Sequence, residues 1–94
     1  MYIIFFTSQA RRVFKKLPQD VRDRLKSTAS TLDQNPLAGE PLQGSHRLFR
    51  SLHVSFNGVA YRIIYQIFSK ANMIVIVLAD KRENIYKRLE EMKL

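Results

Sequence analysis

Three runs of strand-forming residues, joined by short turns, constrain the fold of this chain more than any other feature. The runs cover residues 47–55, 59–68 and 72–79, and each is rich in the β-branched and aromatic residues that strands favour. Asn57-Gly58 is the dipeptide most typical of a two-residue hairpin turn. Residues 69–72, Ser-Lys-Ala-Asn, supply the second turn. Because short turns join antiparallel neighbours, we predict an antiparallel meander.

The third run differs from the other two because it shows no polar alternation. It is apolar from Met73 to Leu78. A strand with one face in water alternates between apolar and polar residues, whereas a strand covered on both faces does not. We therefore predict that this run is a central strand of the sheet, buried on both faces.

Before the meander, apolar residues recur at helical spacing in two consecutive segments. The apolar positions of the first segment are Ala10, Val13, Phe14 and Leu17, and those of the second are Val21, Leu25, Ala29 and Leu32. The first helix follows an N-cap at Thr7-Ser8 and is predicted to end at Leu17-Pro18, because a residue before proline avoids the helical region. The second helix is predicted to end before Asn35-Pro36. Residues 8–35 are thus a predicted helical hairpin.

A short apolar strand, residues 2–6, precedes this hairpin, and a charged helix, residues 81–92, follows the meander. The predicted order is β-α-α-β-β-β-α. It is typical of an α+β fold in which an N-terminal helical hairpin packs on a small, mainly antiparallel sheet and a C-terminal helix ends the chain. The chain is long enough for one modest core, and no linker divides it, so residues 1–94 are predicted to form a single domain.

The charge of the chain narrows the choice of partner. Sixteen Lys and Arg residues against eight Asp and Glu give a formal net charge of +8, which favours nucleic acid or an acidic protein. No apolar run approaches the roughly 20 residues of a membrane span, so no membrane partner is expected. The chain has no cysteine and begins without a signal-like segment, which together favour a cytoplasmic location.

Two arginines and a tyrosine near the C-terminus are the first candidate catalytic residues. Arg62 is flanked by apolar residues on its face of a strand, so its guanidinium needs a carboxylate, backbone carbonyls or a ligand phosphate. An internal ion pair to Asp80 or Glu83 is the alternative to a phosphate. Arg82 and Tyr86 stand one helical turn apart. Arginine neutralises phosphodiesters, and tyrosine stacks on bases or transfers protons, so RNA cleavage is indicated.

A histidine on the preceding strand is the remaining candidate. Ser51 and His53 share one face of that strand, opposite Leu52 and Val54. If His53 faces Arg62, it is the acid or base best suited to neutral pH; otherwise it is a structural or surface histidine. Neither a two-metal cluster nor a Gly-rich phosphate loop occurs in the sequence. We therefore expect chemistry without a metal or another cofactor.

Seven segments, spread over nearly the whole chain, occur in a recognisable order and spacing. They are Tyr2–Phe6, Phe14–Pro18, Leu32–Pro36, Gly39–Gly44, Leu48-Phe49, Ala60–Tyr65 and the pair Arg82 and Tyr86. None of them is specific alone. Together they resemble the RelE/ParE superfamily of toxins from type II toxin–antitoxin pairs.

This resemblance implies one of two activities, because RelE-like members cleave mRNA in the ribosomal A site whereas ParE-like members poison DNA gyrase. In RelE-like enzymes the Tyr-Arg strand, the end of the last strand and the C-terminal helix carry residues that match Arg62, Arg82 and Tyr86. RelE has lysines where this chain has Ser51 and His53. The resemblance favours a metal-independent, ribosome-dependent mRNA endoribonuclease. A gyrase poison on the same fold and a non-catalytic RNA-binding module are the alternatives.

In the endoribonuclease hypothesis, Arg62 and Arg82 bear the charge that develops on phosphorus, and His53 or Tyr86 transfers protons. Contacts with ribosomal RNA are assigned to basic residues elsewhere. These are Lys15, Lys16, Arg22, Lys26, Arg50 and Lys81. Both toxin hypotheses imply a cognate antitoxin, acidic and partly disordered, that folds on the basic toxin surface.

Overall fold

The predicted meander forms the three central strands of a five-stranded sheet. In the computed structural model, which describes residues 1–92, the strands are β1 (Ile3–Phe6), β2 (Glu40–Pro41), β3 (Arg50–Phe56), β4 (Val59–Phe68) and β5 (Met73–Lys81). Their order across the sheet is β1-β5-β4-β3-β2. β1 runs parallel to β5, and the remaining neighbours are antiparallel. The α+β class and the mainly antiparallel sheet are thus confirmed.

Three helices complete the fold, namely α1 (Ser8–Phe14), α2 (Gln19–Ser30) and α3 (Arg82–Glu91). The Thr7 hydroxyl accepts a hydrogen bond from the Ala10 N–H at 3.1 Å, so the predicted N-cap is confirmed. α1 ends at Phe14, earlier than the predicted Leu17. The cause is a tighter final turn, in which the N–H of Leu17 bonds to the carbonyl of Phe14 at 3.1 Å. No helix within residues 1–92 has the length and apolar character needed to cross a membrane.

The shortest strand, β2, was missed by the sequence analysis. It has only two residues, and Pro41 pairs with Arg50 while Glu40 pairs with Ser51. A strand of two residues in a loop with proline and glycine carries no alternating pattern, so nothing in the sequence signals it. It gives the sheet a short protected edge beside β3.

The sheet has a hydrophobic cluster on each face. The larger cluster lies under α1 and α2, and its buried members include Phe14, Leu25, Leu32, Ile63, Tyr65 and Ile76. The smaller cluster lies under α3 and consists of Phe49, Ile64, Leu78, Ile85 and Leu89. The predicted central position of β5 is confirmed by its pairing with both β1 and β4. Its second face is only partly covered, because Val75 and Val77 are half-buried there.

A buried tyrosine joins the loop before β3 to the sheet. The Tyr65 hydroxyl donates to the Pro36 carbonyl at 2.7 Å and accepts from the Gly39 N–H at 2.9 Å. A Cβ on Gly39 would stand 2.8 Å from both the ring edge and the hydroxyl of Tyr65, and 3.0 Å from the backbone of Ser51. Gly39 is therefore required for this close approach.

Gly39→Ala is expected to lower the free energy of unfolding by about 1–3 kcal/mol, the typical effect of overpacking a rigid site. Urea unfolding of both proteins would measure the change. Ala38→Ser is the control: the neighbouring Ala38 is exposed, so this change should stay within about 0.5 kcal/mol. Equal stabilities for Gly39→Ala and the wild type would contradict the close approach.

Candidate active site

A row of polar side chains crosses three strands on the sheet face that carries α3. His53 of β3 pairs directly with Arg62 of β4, and Arg62 pairs with Asp80 of β5. Paired residues on neighbouring strands project from the same face. The condition under which we expected His53 to matter, that it faces Arg62, is therefore met. His53 is exposed at the outer end of this row.

Arg62 is held by a ring and a hydroxyl. Its Cζ lies 5.6 Å from the centroid of the Tyr86 ring, a cation–π contact. Its Nη1 donates to the Ser51 Oγ at 3.4 Å, and Ser51 is 2% exposed. α3 thus brings Tyr86 to the strand residue that the sequence analysis singled out. The Tyr86 side chain remains 53% exposed, so part of its ring is open to a ligand.

The internal ion pair considered for Arg62 does not form, because Asp80 is already bound. One Asp80 oxygen accepts from Arg88 Nε at 2.7 Å, and the other accepts from the Lys81 N–H at 2.7 Å. Asp80 is 4% exposed. Within residues 1–92, neither Asp80 nor Glu83 makes an ion pair with Arg62. The charge of the Arg62 guanidinium is consequently available for a phosphate.

Arg88, the residue that holds Asp80, is not among the candidate residues predicted from the sequence. The feature that could have identified it is its position in the C-terminal helix. Arg88 lies three residues after Ile85 and next to Leu89, and both of these residues are buried. An arginine on that side of a helix is drawn toward the core and needs a carboxylate. Only 34% of its side chain is exposed, in agreement with this position.

Arg88→Met is expected to lower the free energy of unfolding by about 1.5–3 kcal/mol, because it leaves a buried carboxylate without its charged donor. Methionine keeps most of the aliphatic length of arginine. Thermal and urea unfolding would measure the loss. Lys87→Met is the matched control, since Lys87 is exposed on the same helix and its change should stay within about 0.5 kcal/mol. A stability equal to that of the control would show that the Asp80–Arg88 pair contributes nothing.

Arg82 occupies the first position of α3 and is exposed. It lies one turn before Tyr86, as the sequence indicated. The contacts that hold Arg62 come from Ser51 and Tyr86 and do not involve Arg82. The described residues therefore bring Arg62, Tyr86 and Ser51 into contact and pair His53 with Arg62. Arg82 is related to this group through its place one turn before Tyr86 on α3.

The six residues assigned to ribosomal RNA fall into three groups in the structure. Lys16 and Lys81 line a groove beside Asp80 and Glu83. Arg50 is used within the fold, because its Nε donates to the Gly39 carbonyl at 2.9 Å. Lys15, Arg22 and Lys26 line a separate cavity at the β1 edge of the sheet.

Within residues 1–92, no group of three His, Asp or Glu side chains is arranged to hold a metal ion. The chemistry available to the group around Arg62 is that of a guanidinium, a phenol and an imidazole. Such groups stabilise anions and transfer protons.

Comparison with known proteins agrees with this fold. The sequence model of the family described as ParE-like toxin of type II bacterial toxin-antitoxin system matches residues 4–90. Toxin RelG of Mycobacterium tuberculosis is 33% identical over 89 residues, which cover 93% of this chain and 98% of RelG.

Solved structures of toxins have a similar fold. A chain of the toxin-antitoxin complex RelBE2 from Mycobacterium tuberculosis has a TM-score of 0.74 at 31% identity, covering 86% of this chain and 98% of that one. The isolated E. coli RelE toxin has a TM-score of 0.70 at 21% identity over 97% of each chain, which shows a common fold. The chain therefore belongs to the ParE-like toxin family of type II bacterial toxin–antitoxin systems, within the RelE/ParE superfamily.

Proposed function

We propose that this toxin is a metal-independent mRNA endoribonuclease that acts on translating ribosomes in the cytoplasm and thereby inhibits translation. One observation carries the proposal: the Arg62 guanidinium has no carboxylate partner within residues 1–92, lies over the Tyr86 ring and faces His53. A structural arginine at this depth would be paired with a carboxylate. The Arg62 guanidinium is instead held in place by its contact with Tyr86 and makes no ion pair within residues 1–92, so it is available to bind a phosphate.

RNA supplies its own nucleophile for this reaction. The 2′-oxygen attacks the adjacent phosphorus, the bond to the 5′-oxygen breaks, and the products are a 2′,3′-cyclic phosphate and a 5′-hydroxyl. The protein must hold the strand, accept the 2′-hydroxyl proton and stabilise the negative charge on phosphorus. We assign the charge to Arg62 and Arg82. We assign the 2′-hydroxyl proton to His53. The departing 5′-oxygen takes up a proton from water, with the Tyr86 hydroxyl as the alternative donor.

Tyr86 is assigned mainly to stacking, because its ring already contacts a guanidinium and is half exposed. Tyr86→Phe is expected to keep the cleavage rate within about tenfold of the wild type, whereas Tyr86→Ala should reduce it about 10–100-fold, as the loss of one stacked base predicts. Cleavage of mRNA on programmed ribosomes would give both rates. A loss beyond about 10²-fold in Tyr86→Phe would assign proton transfer to the phenol instead.

A gyrase poison is the second candidate, and the ParE-like name of the matching family favours it. In that case Arg62, Arg82 and Tyr86 have only structural roles. Induction of the toxin in cells with labelled amino acids and labelled thymidine separates the candidates. We expect protein synthesis to stop before DNA synthesis. If DNA synthesis stops first, the gyrase target is supported. If neither protein synthesis nor DNA synthesis stops, a non-catalytic RNA-binding module is the remaining candidate.

A direct assay tests the chemistry itself. Purified toxin is added to ribosomes programmed with a defined mRNA, and cleavage is mapped by primer extension. We expect cuts only on ribosome-bound mRNA, with a cyclic phosphate at the new 3′ end. An intact message under these conditions would overturn the proposal.

The proposed regulator is a cognate antitoxin. The relative in the RelBE2 complex is bound within a toxin-antitoxin complex, and the net charge of +8 on this chain suits an acidic partner. Co-expression of such a partner is expected to restore growth and to block cleavage in the ribosome assay.

A further inference from the structure

A cavity of about 540 Å³ opens at the β1 edge of the sheet, between β1, α1 and α2. It lies on the side of the two N-terminal helices, whereas Arg62 and Tyr86 lie on the face that carries α3. Its size falls within the roughly 300–1,000 Å³ of small-molecule sites. The cleavage chemistry proposed above makes no use of it.

Four cations line this cavity. Arg11 and Lys15 stand one turn apart along α1, and Arg22 and Lys26 stand one turn apart on α2. No Asp or Glu is among the lining residues. Two facing rows of positive charge repel each other unless an anion lies between them, so the cavity favours a negatively charged ligand.

One of these cations has an unused donor. Arg22 Nη2 donates to the Gln19 side chain at 2.7 Å, which fixes the guanidinium. Arg22 Nε is buried and has no hydrogen-bond partner among the described residues. Buried donors without an acceptor are rare in native proteins. Arg22 lines the cavity, and its guanidinium matches the geometry of a phosphate.

An exposed aromatic platform stands at the rim of the cavity, where β1 is the edge strand. The Phe5 ring is 44% exposed, and the Arg11 Cζ lies 5.8 Å from its centroid. Arg11 is held in place by its Nε, which donates to the Phe6 carbonyl at 3.3 Å. Behind them the rings of Phe6 and Phe14 pack 5.4 Å apart. An exposed ring beside a fixed guanidinium, next to a positive groove, is the arrangement on which proteins stack nucleic-acid bases.

From this combination we infer that the cavity binds a nucleoside phosphate. The base stacks on Phe5 and Arg11, and the phosphate is bound by Arg22 with Lys15 and Lys26. Inorganic phosphate alone would leave the platform unused and most of the volume unfilled. An acidic peptide would satisfy the cations but has no need of the stacking platform. The ligand is either a free nucleotide or one nucleotide of an RNA strand, since both present the same chemistry.

The inference is independent of mRNA cleavage, so it is tested on the full-length protein without ribosomes. The probes are AMP, adenosine and inorganic phosphate, titrated into isotope-labelled protein and followed by NMR. We expect AMP to bind at least about tenfold more tightly than either fragment, because it uses both stacking and charge. The amides around Arg22 and Phe5 should shift, whereas those of Arg62 should not.

Two neighbouring lysines give a matched pair of variants. Lys15 lines the cavity and Lys16 does not. Both lysines are exposed, so replacing either one by glutamine removes one surface charge. Lys15→Gln should weaken AMP binding about tenfold, as the loss of one charged contact predicts, and Lys16→Gln should leave it within about twofold. Phe5→Leu should weaken AMP binding about tenfold but leave phosphate binding unchanged.

A 2′-O-methyl adenosine oligonucleotide, which cannot be cleaved, separates the two sources of the ligand. Binding at least about tenfold tighter than AMP, and reduced by Lys15→Gln, indicates an RNA strand; binding no tighter than AMP indicates a free nucleotide. Three results would overturn the inference: equal affinity for AMP and phosphate, equal effects of the two lysine variants, or binding of an acidic peptide with no binding of AMP.

Discussion

Arg62→Ala is expected to slow the cleavage of ribosome-bound mRNA by about 10²–10³-fold, the usual effect of removing one group that stabilises transition-state charge. The reason is that the Arg62 guanidinium makes no ion pair within residues 1–92 and contacts the Ser51 hydroxyl and the Tyr86 ring. Single-turnover rates on programmed ribosomes would measure the loss. The rate must fall in the chemical step and not only in binding, because Arg62 is assigned to the developing charge.

The same variant should fold normally. Its guanidinium makes no ion pair within residues 1–92 and its one hydrogen bond is 3.4 Å long, so its removal should change the unfolding free energy by about 1 kcal/mol or less. Arg12→Ala is the control for a lost positive charge, because Arg12 is exposed on α1 and remote from the proposed chemistry. An active Arg62→Ala protein would remove Arg62 from the site, and an unfolded one would make it a structural residue.

Arg62→Lys refines this result. Lysine keeps the charge but cannot present two parallel N–H groups to a phosphate. We expect this variant to recover only part of the lost rate. Full recovery would mean that charge alone is needed, so the orientation by Ser51 and Tyr86 would have no part in the chemistry.

The pairing of His53 with Arg62 was predictable because a two-residue turn fixes the register of a hairpin. Asn57-Gly58 places Phe56 opposite Val59. Counting back from that pair along both strands brings His53 opposite Arg62. The side-chain parity of the two strands, and hence the shared face, follows from the same count.

The pairing of Arg62 with Asp80 was not predictable, because it depends on a β-bulge. Phe68 pairs with Met73 beside the second turn, and an unbroken count from there would place Ala79 opposite Arg62. The register shifts between Ile64 and Tyr65, which brings Asp80 opposite Arg62 instead. No Gly or Pro marks this bulge in the sequence.

The contact between Tyr86 and Arg62 lies beyond sequence reasoning for a different reason. It depends on how α3 packs across the sheet, and local spacing says nothing about that angle. Ile85 and Leu89 bury one side of α3, and the Asp80–Arg88 pair ties this helix to the end of β5. Only with the helix held in this way does Tyr86 reach the strand residue.

His53→Gln is expected to reduce the rate of mRNA cleavage at neutral pH by about 10²-fold or more, the usual contribution of a positioned general base. A base must be neutral to accept the 2′-hydroxyl proton. The imidazole of His53 pairs with Arg62 and is the side chain of this group best suited to act as a base. Glutamine keeps a hydrogen-bonding group at the position but cannot accept the proton, so the contribution of the base should be lost.

Single-turnover rates at neutral pH, measured under saturating toxin, give the loss for each protein. His46→Gln is the matched control, because the chain has two histidines and the His46 Nε2 lies 3.1 Å from the Leu89 carbonyl of α3, outside the polar row. Its rate should stay within about twofold of the wild type. A His53→Gln rate equal to that of this control would assign the proton to Tyr86 or Lys81, since His53 would then only border the phosphate bound by Arg62.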